Sequence, residues 1–218
     1  MRFLFQFITW AFMPILMPIY GLLIVMFSYS EPIEIGLNNS LYYFPLRNKV
    51  IILIYFLIVT VIIPGLIYII MQKTDKIKTI QMDDRSERKV PLVIMSICCL
   101  CLLYIFTSID YLLPKYIYAL CLSGAVIISL FTLINEHIKI SLHATGVGIF
   151  TGFLIAYFSE QTNFQIGVIA VGFLVSGLVF SSRLFLEKHT IKELVLGYVL
   201  SLLITFVLTI YYPLLGIN

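Results

Sequence analysis

The sequence predicts an all-α fold, a polytopic bundle of about six or seven transmembrane helices. Of the 218 residues, 61% are hydrophobic and 11% are charged, whereas a typical soluble domain has about 25% charged residues. The mean hydropathy is +1.06. A helix that crosses a hydrocarbon layer of about 30 Å needs about 20 apolar residues. A soluble globular protein is therefore excluded, and the length is sufficient for six or seven spans joined by short loops.

Seven apolar stretches, divided by polar breaks, are the candidate spans. Lipid offers the backbone no hydrogen-bond partners, and the sequence has no ten-residue alternating segments, so we expect helices rather than barrel strands. The first stretch lacks a small-residue cleavage site, and we expect it to be retained as a span. We divide the chain into N-terminal spans, residues 1–72, and a membrane core, residues 73–218. The stretches are 3–28, 49–71, 91–109, 115–135, 142–158, 165–181 and 191–215.

Two kinds of residue distinguish individual spans. Pro14 and Pro18 in the first span and Pro64 in the second predict kinks, because proline removes a backbone hydrogen bond. The fifth span is short and rich in small residues, which allow the backbone of another helix to approach closely. These small residues are Gly146, Gly148, Thr151 and Gly152.

Composition excludes several classes of function. The net charge of +3 is too small to favour nucleic acid binding. The spans contain very few ionisable residues, which disfavours a transporter. The cysteines show no metal or disulfide spacing, and we expect them to be buried small hydrophobic residues. They are Cys98, Cys99, Cys101 and Cys121.

The basic residues are distributed unequally between the two sides of the membrane. Assigning successive loops to alternate sides places 11 of the 14 on the side of the N-terminus. By the positive-inside rule, we expect this side to be cytoplasmic. Leaving out four cations that are candidate phosphate ligands still leaves seven against three.

Three polar clusters fall on this same side. They are the loop 73–91, residues 139–143 at the start of the fifth span, and residues 182–193 between the sixth and seventh spans. Two crossings separate each cluster from the next, so all three can converge on one membrane surface. Such convergence is what a functional site requires.

The residue types in these clusters favour a phosphate ligand. His143 and His189 each lie close to a hydroxyl residue and a cation. Arginine forks and helix N-termini match phosphate oxygens, and one imidazole can attack while the other supplies a proton. Glu193 follows His189 by four residues, so on a continuous helix its carboxylate can select the imidazole tautomer. This arrangement needs neither a metal nor another cofactor.

Two of these segments resemble signatures of the phosphatidic acid phosphatase type 2 superfamily, especially its divergent bacterial membrane members. Ser182-Arg183, five residues, His189, three residues and Glu193 resemble the third signature, Ser-Arg, five residues, His, three residues, Asp. Ser141-Leu142-His143 is similar to the Ser-Gly-His of the second signature, and the resemblance covers about residues 85–200. It implies a metal-independent phosphatase or phosphotransferase that acts on lipid phosphates through a phosphohistidine, in the bacterial cytoplasmic membrane.

Carried over by position, the resemblance implies a role for each matching residue. His189 would be the nucleophile, Glu193 its orienting carboxylate and His143 the general acid. The residues that would bind phosphate are Ser141, Ser182 and Arg183.

The first signature, Lys, six residues, Arg-Pro, is not intact. Lys78 and Arg85 have its spacing, but Ser86 stands in place of the proline, and Arg88 precedes a displaced Pro91. We therefore expect Arg85 and Arg88 to be the substitute phosphate ligands. The second signature lacks its proline and glycine, and Glu193 replaces the aspartate of the third.

Several alternatives stay open. Thr190 to Glu193 is also a capping box, His143 is also typical of a helix cap, and the loop 73–89 also suits a topology anchor. A degenerate relative that binds lipid without turnover would explain the altered signatures. For most bacterial members, the resemblance implies a site on the outer face of the membrane, whereas the charge count predicts the cytoplasmic face.

Overall fold

The computed structural model describes residues 1–33, 40–77, 85–109 and 113–212, apart from the side chain of Ser86. Over these residues the chain is an α-helical bundle, and seven of its helical segments are long and apolar enough to cross a membrane. The predicted fold class is confirmed. The helices are α1 (Arg2–Ala11), α2 (Met17–Phe27), α3 (Leu46–Phe56), α4 (Ile63–Lys73), α5 (Lys89–Thr107), α6 (Lys115–Ile134), α7 (Leu142–Ser159), α8 (Ile166–Phe185) and α9 (Ile191–Tyr211).

The first span consists of α1 and α2, and it bends at Pro14. Helix α1 stops at Ala11, Met13 is extended, and a 3-10 turn from Pro14 to Leu16 leads into α2. Proline forces the preceding residue away from helical geometry, so the kink expected at Pro14 is present. Pro18 lies in the first turn of α2, where a proline fits without bending the helix. The kink expected at Pro18 is therefore absent.

The second span consists of α3, a π-helical segment and α4. The π-helical segment, Leu57–Ile62, ends just before Pro64. A π-bulge accommodates a local break in the α-helical hydrogen-bond pattern, and such segments are frequent at functional sites. The irregularity predicted from Pro64 thus takes the form of a widened turn on its N-terminal side.

Helix α7 is the central helix of the bundle, with 15 of its 18 residues buried. Its glycines lie where neighbouring backbones approach closely. A Cβ atom added at Gly148 would lie 2.6 Å from the carbonyl oxygen of Tyr198, and one at Gly152 would lie 2.5 Å from that of Leu202. Both carbonyls belong to α9. The close packing predicted from the small residues of this span is present.

The N-terminal spans pack directly on the core rather than forming a separate unit. The rings of Phe5 and Phe185 stack with their centroids 4.2 Å apart, which joins α1 to α8. A Cβ at Gly146 would lie 2.7 Å from Cα of Pro14, so the bend of the first span fits against α7. The N-terminal spans, residues 1–72, and the membrane core, residues 73–218, therefore pack together around one common interior.

The cysteines are free thiols, as expected from their spacing. Cys98, Cys99 and Cys121 are buried, whereas Cys101 lies on the outer surface of α5. The expectation of burial therefore fails for Cys101.

Candidate functional site

The three polar clusters meet at one end of the bundle, which we call the histidine end and define as residues 73–77, 85–91, 135–143 and 182–193. Arg85 donates from Nη1 to the carbonyl oxygen of His137 at 2.8 Å. Lys139 donates from Nζ to the carbonyl oxygen of Lys188 at 3.3 Å. The first cluster is thereby joined to the second, and the second to the third.

A cavity of about 280 Å³ opens onto these clusters. At the histidine end its wall is polar and basic. Elsewhere the wall is predominantly apolar and comes from both the N-terminal spans and the core. The polar lining residues at the histidine end are Thr9, Arg88, His143, Arg183 and His189. A cavity with one basic end and apolar walls is suited to an amphiphile with an anionic headgroup.

His189 is held by Glu193, as the spacing predicts. The Nδ1 atom of His189 lies 2.7 Å from Oε2 of Glu193. The same Oε2 accepts from the backbone N–H of Thr190 at 3.4 Å, and Thr190 Oγ1 accepts from the N–H of Glu193 at 3.4 Å. The capping box and the orientation of His189 therefore coexist. Because an ionised carboxylate only accepts, Nδ1 of the neutral ring carries the proton and Nε2 carries the lone pair.

His143 lies in the first turn of α7 and is 7% exposed. It shares the cavity wall with Arg88, Arg183 and His189, and these three groups interact with it electrostatically. Its Nε2 atom is buried and makes no hydrogen bond to any residue that the structure describes. A buried ring nitrogen without a partner is costly, and it marks a position where a ligand oxygen can bind.

Two arginines line the basic end of the cavity. Arg183, in the last turn of α8, is 2% exposed, and Arg88, at the start of α5, is equally buried. Nη1 of Arg88 donates to the carbonyl oxygen of Ile140 at 2.7 Å, which ties α5 to the segment before α7. Both guanidinium groups are thus held within one basic wall.

The helices also contribute to this electrostatic environment. Helices α5, α7 and α9 all begin at the histidine end, so the positive ends of three helix dipoles face it. Arg88 is the N-cap residue of α5, His143 lies in the first turn of α7, and His189 immediately precedes the N-cap of α9. The arrangement is therefore suited to an anion.

Not every predicted site residue reaches the cavity. Arg85 is exposed, and its hydrogen bond to the His137 carbonyl directs it toward the outer surface. The Ser141 hydroxyl accepts from the N–H of Ala144 at 3.4 Å as the N-cap of α7. The Ser182 hydroxyl lies 2.8 Å from that of Thr9 and donates to the carbonyl oxygen of Phe5 at 2.7 Å. None of these three side chains lines the cavity, and each has a structural partner.

Part of the first cluster lies outside the described residues. This holds for Lys78, Asp83 and Asp84 and for the side chain of Ser86. Of the expected phosphate ligands in the first cluster, the structure therefore describes Arg85 and Arg88.

Sequence reasoning missed the contribution of the N-terminal spans to the site. Thr9, Trp10 and Pro14 line the cavity, as do Gly65 and Tyr68 of α4. The kink at Pro14 was the available signal, because a bend at this position turns α1 toward α8. Nothing in the sequence marked Gly65.

Comparison with known proteins adds no relative from which residue roles can be transferred. No family model, no curated protein and no solved structure matches this chain. The functional conclusion therefore rests on the chemistry of the cavity and on the signatures in the sequence.

Proposed function

We propose that the protein is an integral membrane phosphatase that hydrolyses lipid or isoprenoid phosphates through a phosphohistidine intermediate. One observation supports this proposal above all. Two imidazoles and two guanidinium groups line the basic end of a single cavity whose remaining wall is predominantly apolar. The basic end suits a phosphate, and the apolar wall suits the hydrocarbon of a lipid.

In the proposed first step, Nε2 of His189 attacks phosphorus in line with the ester oxygen. The N–P bond forms while the P–O bond to the lipid breaks, and His143 donates a proton to the leaving alcohol. The negative charge of the bound phosphate favours the protonated form of His143 that this step requires. Glu193 stabilises the positive charge that develops on His189, because its carboxylate bonds to Nδ1.

In the second step, His143 takes a proton from water, and the resulting hydroxide oxygen attacks phosphorus. The N–P bond breaks, inorganic phosphate leaves and His189 returns to its starting form. In both steps the equatorial oxygens carry the growing charge. The guanidinium groups of Arg88 and Arg183 face that charge, together with the N-terminus of α7.

We infer that this site lies at the cytoplasmic face of the bacterial cytoplasmic membrane, because counting the spans along the sequence assigns 11 of the 14 basic residues to its side. Lys76→Cys, in a variant with the four native cysteines replaced, tests which face carries the site. An impermeant maleimide should label it only after the cells are opened. Labelling of intact cells would assign the site to the outer face.

Replacement of His189 is the direct test of the mechanism. His189→Ala should lower phosphate release from dioleoyl phosphatidic acid or undecaprenyl pyrophosphate by at least about 10³-fold. His137→Ala is the matched control, because His137 is exposed and does not line the cavity. Orthovanadate should inhibit the wild type and chelators should not, and acid-labile ³²P should be trapped on the wild type and on His137→Ala but not on His189→Ala. Substantial turnover by His189→Ala would exclude the nucleophile.

A catalytically degenerate, lipid-binding relative is the second candidate function. One observation favours it. The Ser141 hydroxyl caps α7 and the Ser182 hydroxyl bonds to the backbone of α1, so both groups are used in structural contacts rather than at the cavity. Such a protein would bind lipid phosphates with the same residues but release no phosphate from any of them. A wild-type protein that binds but does not turn over the lipid panel would establish this function instead.

A further inference from the structure

The cavity also opens in its side, between the first and second spans. Trp10 of α1 and Ile69 of α4 both line the cavity. Trp10 is nevertheless 51% exposed, and Ile69 is 42% exposed. A side chain that lines a cavity and is also exposed to this extent lies at its rim. We call this gap between α1 and α4, bordered by Trp10 and Ile69, the lateral opening.

The lateral opening exists because its two helices pack against different neighbours. On α1, the hydroxyl of Thr9 lies 2.8 Å from that of Ser182, which holds this helix against α8. On α4, the hydroxyl of Tyr68 donates to the carbonyl oxygen of Pro91 at 3.1 Å, which holds that helix against α5. Over the part of the chain that the structure describes, α1 and α4 do not pack along each other. The wall between them is therefore left open.

The surface on both sides of the lateral opening is apolar. Phe3 and Phe7 on α1 and Leu66 and Ile70 on α4 are each more than half exposed. Large apolar side chains are unfavourable in water but not in hydrocarbon. Both helices also belong to segments that are long and apolar enough to cross a membrane. The lateral opening therefore faces the hydrocarbon of the bilayer rather than water.

The lateral opening lies close to the level of the basic end of the cavity. Trp10 follows Thr9, whose hydroxyl is bonded to that of Ser182. Ser182 directly precedes Arg183, which lies in the last turn of α8. Ile69 lies four residues, or about 6 Å along the helix axis, before the end of α4. A phosphate at the basic end is thus beside the opening, and the chains attached to it can pass outward into the bilayer.

We infer that a membrane lipid with a phosphate headgroup enters sideways through the lateral opening, binds with its headgroup at the basic end and keeps its chains in the bilayer. The inference rests on the proposed function for the identity of the headgroup. Entry from the side keeps the hydrocarbon out of water at every stage, which avoids the cost of exposing each methylene. The first methylenes of the bound lipid then contact Trp10 and Ile69.

Photocrosslinking at the rim tests this inference. Ile69→p-benzoylphenylalanine, in the full-length protein in phosphatidylcholine nanodiscs, captures the lipid beside the lateral opening. The probe is the phosphonate analogue of phosphatidic acid with tritium in its chains, because its P–C bond resists hydrolysis. Phosphatidylglycerol with the same chains and label is the reference, since it is also anionic but its phosphate is a diester. At equal mole fraction, we expect at least about fivefold more crosslinking to the phosphonate.

Val195→p-benzoylphenylalanine is the matched control. Val195 is 44% exposed, does not line the cavity and lies four residues from the start of α9. It therefore resembles Ile69 in exposure and in depth below the histidine end, and it should crosslink the two lipids about equally. Orthovanadate competes for a phosphate site, so it should remove the preference for the phosphonate at Ile69 and change nothing at Val195.

The wild-type protein provides a second readout if the variant at Ile69 does not fold. Trp10 is the one tryptophan of the chain. The phosphonate brominated in its chains should therefore quench the protein's tryptophan fluorescence more strongly than equally brominated phosphatidylglycerol at the same mole fraction. Orthovanadate should abolish this difference.

An equal ratio of the two crosslinked lipids at Ile69 and Val195 would overturn the inference, and so would equal quenching by the two brominated lipids. Neither measurement needs turnover. A protein that crosslinks the phosphonate preferentially at Ile69 but releases no phosphate from any lipid would refute the proposed function alone. An active phosphatase without this preference would refute the lateral entry alone.

Discussion

The two ends of the bundle both bury polar groups, but they use them differently. We define the tyrosine end by Tyr29, Tyr42, Tyr43, Tyr116 and Tyr157. There, the hydroxyl of Ser30 lies 2.6 Å from that of Ser40 and 2.8 Å from that of Tyr157, and Tyr157 also accepts from the N–H of Leu41 at 3.0 Å. The two bonds to Tyr157 join segments that are more than 100 residues apart in the chain, and we interpret all three bonds as structural.

Buried cations show the same difference. At the tyrosine end, Lys49 donates to the carbonyl oxygens of Met26 and Tyr42, both at 2.6 Å, and Lys115 pairs with Glu160 at 2.6 Å. At the histidine end, Arg88 and Arg183 instead line a cavity together with two imidazoles. Burial of a charge therefore does not by itself indicate function. The histidine end differs because its buried charges lie on a cavity wall beside two imidazoles.

The largest expected effect of substitution at the histidine end, after that of His189, concerns Arg88. Arg88→Ala should lower kcat/KM for a lipid phosphate by about 10²- to 10³-fold, because the guanidinium opposes charge that develops in the transition state. Arg85→Ala is the matched control and should change it less than about threefold, since Arg85 is exposed and contacts the His137 carbonyl. An equal loss of kcat/KM in the two variants would contradict the assignment of Arg88, rather than Arg85, as the phosphate ligand.

The next largest effect is expected at Glu193. Glu193→Gln keeps an oxygen that can cap α9 but removes the charge that stabilises the imidazolium of His189. We expect kcat to fall by about 10- to 100-fold with little change in KM, because the interaction strengthens in the transition state. The melting temperature in detergent should change little. A large loss of stability with unchanged kcat would show that Glu193 caps α9 but does not assist His189 in catalysis.

At the tyrosine end, substitution should affect stability and not activity. Tyr157→Phe removes the hydroxyl that bonds Ser30 and Leu41, and we expect a loss of about 1–2 kcal/mol in the free energy of unfolding. The folded protein should keep its kcat/KM for lipid phosphate. Thermal unfolding and initial rates on the same preparation measure both quantities. A specific loss of kcat would contradict the structural role of this end.

The smallest expected effect concerns Glu136, at the outer edge of the histidine end. The Lys89 ammonium, bonded at 2.7 Å, holds the pKa of the Glu136 carboxyl below its usual value. A lowered pKa gives stability that is present above the unfolded value of about 4.3 and is lost as the pH falls through the folded value. Both side chains are largely exposed, so Glu136→Gln should shift the melting temperature at pH 7 by at most about 2 °C. A larger shift would show that this exposed pair contributes more to stability than exposed pairs usually do, as expected only for a buried pair such as Lys115 and Glu160.

Much of the architecture could be predicted from the chain alone. Span length and hydrophobicity predict seven crossings, because each crossing must satisfy its own backbone hydrogen bonds in lipid. Two crossings separate each polar cluster from the next, so the sequence also predicts that all three lie at one end of the bundle. These clusters are 73–91, 139–143 and 182–193. Local chemistry predicts the pairing of His189 with Glu193, since four residues make one helical turn.

The tertiary structure decided which side chains reach the cavity. Arg88 faces inward and Arg85 outward because each is held by a carbonyl of the segment before α7, that of Ile140 for one and of His137 for the other. Spacing cannot specify such a choice, because the carbonyls lie about 50 residues away in the chain. The cavity itself likewise arises only when α4, α5 and the bent first span pack together. The sequence by itself therefore determined the spans and the end at which reactive groups gather, and the packing determined which of those groups share a wall.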